Sequence, residues 1–187
     1  MRLIHTSYIM AILLVCLPGQ AETEITIDLG RGPVTVAIPN NFNPNEPMPL
    51  LVMLHGYSGS GMGQEAYLKF RPLVDGYGFI HTNPDGTVNP VGNRFWNAGD
   101  TCCNFYGSDV DDVVYLTELV EAISAQYPVD PQRIYFMGHS NGGFMSFRMA
   151  CDRADMVAGF QVPAPLQNLG SCWDPSSLVS RAVSALS

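Results

Sequence analysis

A serine stands between two glycines in the segment around Ser140, with Gly138 two positions before it and Gly142 two positions after it. An apolar run, 134–137, precedes this segment, and a stretch with helical spacing follows it. A strand, a sharp turn and a helix in that order are typical of the site of a nucleophilic serine, because the turn lifts the hydroxyl clear of the sheet. The alternative is a glycine-rich turn that only packs closely or holds a phosphate. We interpret Ser140 as a nucleophile.

A second glycine loop begins at His55, directly after the apolar run 50–54. Attack of a serine on an ester carbonyl places negative charge on oxygen, and backbone N–H groups aimed at that oxygen lower the barrier. The donors expected here belong to Asn141, the residue after the nucleophile, and to the loop after the earlier strand, where Tyr57 lies. The alternative is that the glycines of this loop only make a flexible turn.

The histidines of the chain are His5, His55, His81 and His139. A serine nucleophile needs a base held by a carboxylate, and with this kind of turn both are expected to follow the serine along the chain. No histidine follows Ser140. We expect His139 to be a packing residue, because its side chain should leave the turn in a different direction from that of Ser140.

Strands that alternate with helices must position these residues. Alternating polar and apolar residues predict an N-terminal hairpin at a sheet edge, and continuous apolar runs predict strands buried on both faces of a parallel sheet. We therefore expect an α/β fold, with a mostly parallel sheet and helices on both faces. The predicted strands are 24–27, 34–38, 50–54, 79–82, 134–137 and 157–162, and the predicted helices are 64–75, 108–127 and 140–151.

Two acidic residues, Asp111 and Asp112, lie near the start of the second predicted helix. Such a cluster could bind calcium or supply a general acid. Acidic side chains at a helix N-terminus also cap free N–H groups and offset the helix dipole, and this structural role is the one we expect. Ser108 and Asp111 have the spacing of a capping box.

Residues 1–21 have the pattern of a signal peptide, with Arg2 before the apolar run 9–17 and small residues before a cleavage site after Ala21. The apolar run is too short to span a membrane. We expect residues 22–187 to form one exported domain, extracellular or periplasmic, that has no membrane contact after cleavage. These residues carry 8 basic and 17 acidic side chains, which disfavours nucleic acid as a partner.

Four cysteines follow the predicted cleavage site: Cys102, Cys103, Cys151 and Cys172. An even number in an exported chain favours disulfides, with three possible pairings. Adjacent cysteines rarely bond to each other because the geometry is strained, so we expect Cys102 and Cys103 each to have a distant partner, for which Cys151 and Cys172 are the candidates. A zinc site is the alternative, but the chain has no C-x-x-C pair and no histidine cluster beside the cysteines, so no metal is expected.

Several segments in order resemble the polyhydroxybutyrate depolymerase and feruloyl esterase-like family of secreted hydrolases: 54–57, 96–99, 102–103, 110–113 and 127–143. The resemblance implies an α/β-hydrolase fold, no cofactor, and hydrolysis of carboxylic esters of the hydroxyalkanoate or feruloyl type through an acyl-enzyme. By position it implies that Ser140 is the nucleophile and that Asn141 and Tyr57 are the oxyanion donors. It also implies that Trp96 and Asn97 line the acyl pocket.

The resemblance fades near Cys172, where the family normally enters the strand that precedes its catalytic acid and histidine. We therefore expect a chain that is incomplete at its C-terminus and lacks the last strands of the fold. The leading hypothesis is a secreted serine esterase. The alternative is a truncated, non-catalytic secreted binding protein that retains the ester pocket. An acyltransferase or a peptidase on the same scaffold is a third possibility.

Overall fold

The computed structural model of the chain describes residues 23–99 and 102–161. Its first two strands, β1 (Thr23–Asp28) and β2 (Pro33–Ile38), form an antiparallel hairpin. Alternate residues of β2 point into the core, so Val34, Val36 and Ile38 are buried. The predicted N-terminal hairpin is confirmed, and β1 lies at one edge of the sheet.

The later strands are β3 (Met48–Leu54), β4 (Ile80–Thr82), β5 (Thr87–Val88), β6 (Arg94–Phe95), β7 (Val129–Gly138) and β8 (Gly159–Gln161). β5 and β6 form a separate antiparallel ribbon, and the other strands form a six-stranded sheet in the order β1-β2-β4-β3-β7-β8. Every pairing from β4 to β8 across this sheet is parallel. The predicted mostly parallel α/β sheet is therefore confirmed.

The predicted helix 64–75 is wrong as one element. The structure has α1 (Gly61–Leu68), a short 3-10 turn (Arg71–Leu73) and α2 (Val74–Tyr77). The helix ends because Lys69 takes a left-handed conformation, with φ of 57°, and its N–H closes the last turn onto Glu65 O.

The remaining helices are α3 (Asp112–Ser124) and α4 (Asn141–Asp152). α3 begins after Asp111, whose carboxylate accepts hydrogen bonds from the N–H groups of Val113 and Val114, at 3.0 Å each. The capping role predicted for Asp111 is confirmed, but the predicted start of the helix at Ser108 is wrong. Four residues before α3, the backbone of Ser108 instead shares two hydrogen bonds with the side chain of Asn104.

One apolar core lies between the sheet and the helices α3 and α4. α3 buries residues spaced for one helical face, and α4 contributes its methionines. The core side chains include Leu50, Val52, Leu54, Phe136, Leu116, Leu119, Ile123, Met145 and Met149. Because β3 and β7 are parallel neighbours with Leu54 opposite Gly138, the loops that follow these two strands emerge side by side. None of the helices in the described residues is both long and apolar enough to cross a membrane.

Candidate active site

Ser140 occupies the sharp turn between β7 and α4. Its φ of 52° and ψ of −119° lie in a region that side-chain-bearing residues rarely adopt, and holding such a conformation costs about 1–3 kcal/mol. The residue is exposed to solvent. The turn therefore presents the Ser140 hydroxyl at the surface above the carboxyl end of the sheet.

Glycines are required on both sides of this turn because backbones cross there. A Cβ atom at Gly138 would lie 2.8 Å from Gly143 N, and one at Gly142 would lie 2.6 Å from His55 O. Real Cβ atoms essentially never approach other atoms within 3.0 Å, so neither position accepts a side chain without a backbone shift. The close crossing of β7, α4 and the end of β3 is thus the physical reason for the glycine spacing.

The loop after β3 lies directly against Ser140. A Cβ atom at Gly56 would be 3.5 Å from Ser140 Cβ and 3.4 Å from His139 O. Tyr57 follows in this loop, and Asn141 is the first residue of α4. Within the described part of the chain, no backbone N–H···O bond or side-chain acceptor is found for the N–H of either residue. Two unengaged N–H groups beside a serine hydroxyl can stabilise an oxyanion that forms on an attacked carbonyl.

The side chain of Asn141 faces inward and binds the segment at Trp96. Its Oδ1 accepts from the backbone N–H of Trp96 at 2.7 Å, and its Nδ2 donates to Trp96 O at 2.9 Å. The Trp96 indole N–H donates to His55 O at 3.1 Å, and the ring is fully buried. The expectation that Trp96 lines the acyl pocket is therefore wrong, because its indole is satisfied inside the core.

A cleft of about 680 Å³ lies between Arg148 of α4 and the segment that holds Cys102 and Cys103. It is bounded by α4 and by residues 96–99 and 102–111, which we call the cleft loop. Asn97 lines this cleft. Its lining residues are Asn97, Gly99, Cys102, Cys103, Asn104, Phe105, Gly107 and Arg148.

The disulfides differ from the expectation. Cys102 and Cys103 are bonded to each other, so the distant partners predicted for them are wrong. Cys103 has a φ of 71°, and this left-handed turn accommodates the bond between neighbouring residues. Cys102 Sγ also lies 3.8 Å from Asn141 Nδ2, which puts the disulfide beside the start of α4. Cys151 is disulfide-bonded as well, and Cys172 lies outside the described residues.

Asp112 is buried and joins two distant segments, a role that the sequence pattern did not reveal. Its carboxylate accepts from the N–H of Asn97 and forms an ion pair with Arg31, whose guanidinium stacks on the Tyr115 ring at 4.0 Å. The ion pair connects the turn of the N-terminal hairpin to the cleft loop. Asp112 thus differs from its neighbour Asp111, which only caps α3.

Two of the described histidines have both ring nitrogens in hydrogen-bonding contacts. His55 Nδ1 lies 2.7 Å from Gly56 O, and its Nε2 accepts from the N–H of Gly86 at 2.9 Å. His81 Nε2 lies 2.8 Å from a Glu65 carboxylate oxygen, and its Nδ1 lies 3.3 Å from the oxygen of a β3 carbonyl. Burial lowers the pKa of both imidazoles. Neither is therefore placed to take a proton from Ser140.

His139 is exposed to solvent next to Ser140, and its ring also lies against the loop after β3, with Nδ1 3.3 Å from where a Cβ atom at Gly56 would be. The turn carries this side chain outward because β7 ends at Gly138 and the chain leaves the sheet there. Within residues 23–99 and 102–161, no three side chains of histidine, cysteine, aspartate or glutamate are grouped to hold a metal ion.

Comparisons with known proteins extend this description. Residues 37–164 match the family model described as esterase PHB depolymerase. The chain is 34% identical over 125 residues to a feruloyl esterase B of Piromyces equi, covering 67% of this chain and 22% of that protein. It is 27% identical over 129 residues to a poly(3-hydroxybutyrate) depolymerase of Ralstonia pickettii, covering 65% of this chain and 26% of that protein. This chain thus spans about a quarter of the length of these two relatives.

A solved structure supports the fold independently. The acetyl xylan esterase of Aspergillus awamori superposes with a TM-score of 0.59 at 21% identity, covering 75% of this chain and 51% of that one. The parallel sheet, the strained serine turn and its flanking glycines are the features of an α/β-hydrolase fold. With more than half of its residues matched by one family model, the chain belongs to the esterase PHB depolymerase family.

Proposed function

We propose that this chain provides the nucleophile and the oxyanion hole of a secreted serine esterase that acts on carboxylic esters. The observation that carries the proposal is the strained turn at Ser140, with the unengaged N–H groups of Tyr57 and Asn141 beside it. Family membership and the names of the relatives support esters of the feruloyl or hydroxyalkanoate type as substrates.

The reaction would proceed through an acyl-enzyme. Ser140 Oγ forms a bond to the carbonyl carbon while a general base takes its hydroxyl proton, and the electron pair of the C=O bond moves onto oxygen, where the two N–H groups donate to it. The oxyanion then collapses, the bond to the alcohol oxygen breaks, and the alcohol leaves with a proton. Water attacks the acyl-enzyme in the same way and releases the acid. The N-terminus of α4 adds favourable dipole charge at the site.

Serine requires a base in this reaction, and the state of the histidines favours a second candidate function. His55 and His81 are buried and hydrogen-bonded. A secreted protein that binds esters in the cleft without hydrolysing them fits that observation. The two candidates share one pocket and differ in turnover.

Labelling with a fluorophosphonate and hydrolysis of short p-nitrophenyl esters test the esterase. We expect both to be abolished in Ser140→Ala and unchanged in Ser124→Ala, a control serine that bonds Val120 O within α3. Labelling that persists in Ser140→Ala would overturn the assignment. Ester binding by this chain without hydrolysis would favour the binding protein, and the same assays on the product of the gene read beyond Ser187 would show whether turnover needs further residues.

Secretion is part of the proposal. The pattern of residues 1–21 supports it, and so does the disulfide between Cys102 and Cys103, since disulfides persist in oxidising compartments. N-terminal sequencing of the exported protein should find Glu22 as the first residue. Retention of the protein inside the cell with residues 1–21 intact would contradict it.

A further inference from the structure

We propose that Asn89 is a positioning residue for the oxyanion hole: its side-chain amide holds the hydroxyl of Tyr57 and thereby fixes the direction of the Tyr57 backbone N–H. Asn89 lies in the ribbon loop, residues 89–93, which joins β5 to β6. The inference rests on the proposed function in assigning that N–H to the oxyanion. It goes beyond that function by giving a role to the β5–β6 ribbon, which lies outside the main sheet.

The peptide unit between Gly56 and Tyr57 carries this N–H. The peptide is trans and planar, so the N–H points opposite to the carbonyl of Gly56. That carbonyl accepts from the backbone N–H of Gly59 at 3.0 Å and lies 2.7 Å from His55 Nδ1. His55 Nε2 accepts from the N–H of Gly86, so the neutral ring carries its proton on Nδ1 and donates it to the carbonyl. Two donors therefore hold the side of the peptide that faces away from the Tyr57 N–H.

The ribbon holds the next residue of the loop, Ser58. The N–H of Ser58 donates to Arg94 O at 2.8 Å, and its Oγ donates to Asn93 Oδ1 at 2.8 Å. Ser58 has a φ of 63°, a left-handed conformation that persists in a residue with a side chain only when its surroundings impose it. These two bonds to the ribbon are such surroundings.

Asn89 is the buried residue of the ribbon loop, with 7% of its surface exposed. Its Oδ1 accepts from the backbone N–H groups of Val91 and Asn93, at 3.1 Å and 2.9 Å. An atom that accepts from two N–H groups is the amide oxygen, so the other atom is the nitrogen, and this Nδ2 donates to the Tyr57 hydroxyl at 2.9 Å. Asn89 is thus fixed by its own loop and offers Tyr57 a donor in one direction.

The contacts around Tyr57 act on different parts of the residue. The bonds to the Gly56 carbonyl fix the peptide before it, the bond from Ser58 fixes the peptide after it, and Asn89 fixes the side chain between them. The ring also meets Phe105 edge-on, with centroids 5.2 Å apart, but that contact has no hydrogen bond to set a direction. Since an oxyanion hole works through donors oriented before the reaction, a small rotation of this N–H should slow the reaction more than it weakens ground-state binding.

One measurement is independent of catalysis. Residual dipolar couplings measured by NMR report the direction of each backbone N–H. We compare the parent with Asn89→Ala and with Tyr57→Phe, which removes only the hydroxyl and leaves the bonds of Asn89 Oδ1 in place. We expect the coupling at residue 57 to change in both variants, while the couplings of β3 and α4 stay as in the parent.

The other measurement is the rate at which a fluorophosphonate labels Ser140, because the phosphoryl oxygen gains negative charge during that reaction. We expect the limiting rate to fall roughly ten-fold in each single variant, with the half-saturating concentration unchanged. In the double variant Asn89→Ala/Tyr57→Phe the loss should stay at roughly ten-fold instead of reaching roughly a hundred-fold, because both changes break the same bond.

Asn43→Ala is the matched control. Asn43 Oδ1 accepts from the backbone N–H of Asn45, and its Nδ2 donates to the Glu46 carboxylate. It therefore makes the same kinds of bond as Asn89, but in the loop between β2 and β3. We expect neither the coupling at Tyr57 nor the rate of labelling to change in this variant.

Each outcome decides the inference. A changed coupling and slower labelling in both single variants support it. Effects in Asn89→Ala alone overturn it, because Asn89 would then only fold its own loop, and Tyr57→Phe decides by itself if Asn89→Ala does not fold. An unchanged coupling at Tyr57, or losses that multiply in the double variant, also overturn it.

The two measurements separate this inference from the proposed function. If Ser140 of the parent is not labelled but the coupling changes in both variants, the esterase is rejected and Asn89 remains the residue that orients this N–H. If the parent is labelled and the variants are labelled at the same rate, the role of Asn89 alone is rejected.

Discussion

The serine turn and the cleft loop are joined through the side chain of Asn141, yet they are held by different forces. The turn, from Gly138 to Gly142, depends on backbones that cross too closely for side chains. The cleft loop depends on side chains from elsewhere that bind its backbone: Asp112, Asn141 and Arg148. A steric clash between backbones can be relieved only if the backbone moves, whereas a hydrogen bond can be replaced by another of similar geometry. The two halves should therefore respond differently to small substitutions.

The largest effect is expected at the turn. In Gly142→Ala the new methyl group would lie 2.6 Å from His55 O, so the backbone must move and the unfolding free energy should fall by about 3 kcal/mol or more. Gly76→Ala is the control, because that glycine lies in α2 with no atom within 4 Å of an added Cβ. It should be neutral or raise stability by about 0.5–1 kcal/mol. Urea unfolding measures both, and equal effects would refute the role of close crossing.

A smaller effect is expected where a side chain holds the cleft loop. Asp112→Asn removes the charge that pairs with Arg31 and weakens the bond to the N–H of Asn97, so the unfolding free energy should fall by about 2 kcal/mol. Asp111→Asn changes the neighbouring residue in the same way, but asparagine caps a helix as well as aspartate does. A change below about 0.5 kcal/mol is expected there. If Asp111→Asn lowers the unfolding free energy as much as Asp112→Asn does, the two aspartates do not have different roles.

The smallest effect concerns His55, which lies between the two halves, below the turn and against the Trp96 ring at 5.2 Å. Burial lowers its pKa in the folded state, so as the pH falls below 6.5 the unfolded chain takes up the proton first. The stabilisation is complete above pH 6.5 and declines below it, by at most about 1.4 kcal/mol between pH 7.5 and 5.5 for this group. Unfolding free energies of the parent and of His55→Gln across that range measure it. If the unfolding free energy depends on pH as steeply in His55→Gln as in the parent, another group causes the effect. His81 would then be replaced next, because its pKa is lowered too.

The difference between features set within a short segment and features set by distant contacts also explains which predictions were confirmed. The hairpin, the parallel strands and the helix after Ser140 follow from periodicity and glycine spacing within short segments, and they are found where the pattern placed them. The break at Lys69, the buried position of Trp96 and the bond between Cys102 and Cys103 were not predicted. Each depends on a backbone conformation or on a partner that hydrophobic periodicity does not encode.

The sequence alone identified Ser140 as the nucleophile candidate, because so tight a turn requires glycines two positions before and after the serine, and this spacing is visible in the sequence. The tertiary structure decided the surroundings of that serine. Asp112, Asn141 and Arg148 find their backbone partners 15, 45 and 51 residues away. Contacts between residues so far apart form only when the sheet and α4 bring them together, so no pattern within a segment could have revealed that Trp96 is enclosed or that Arg148 borders the cleft.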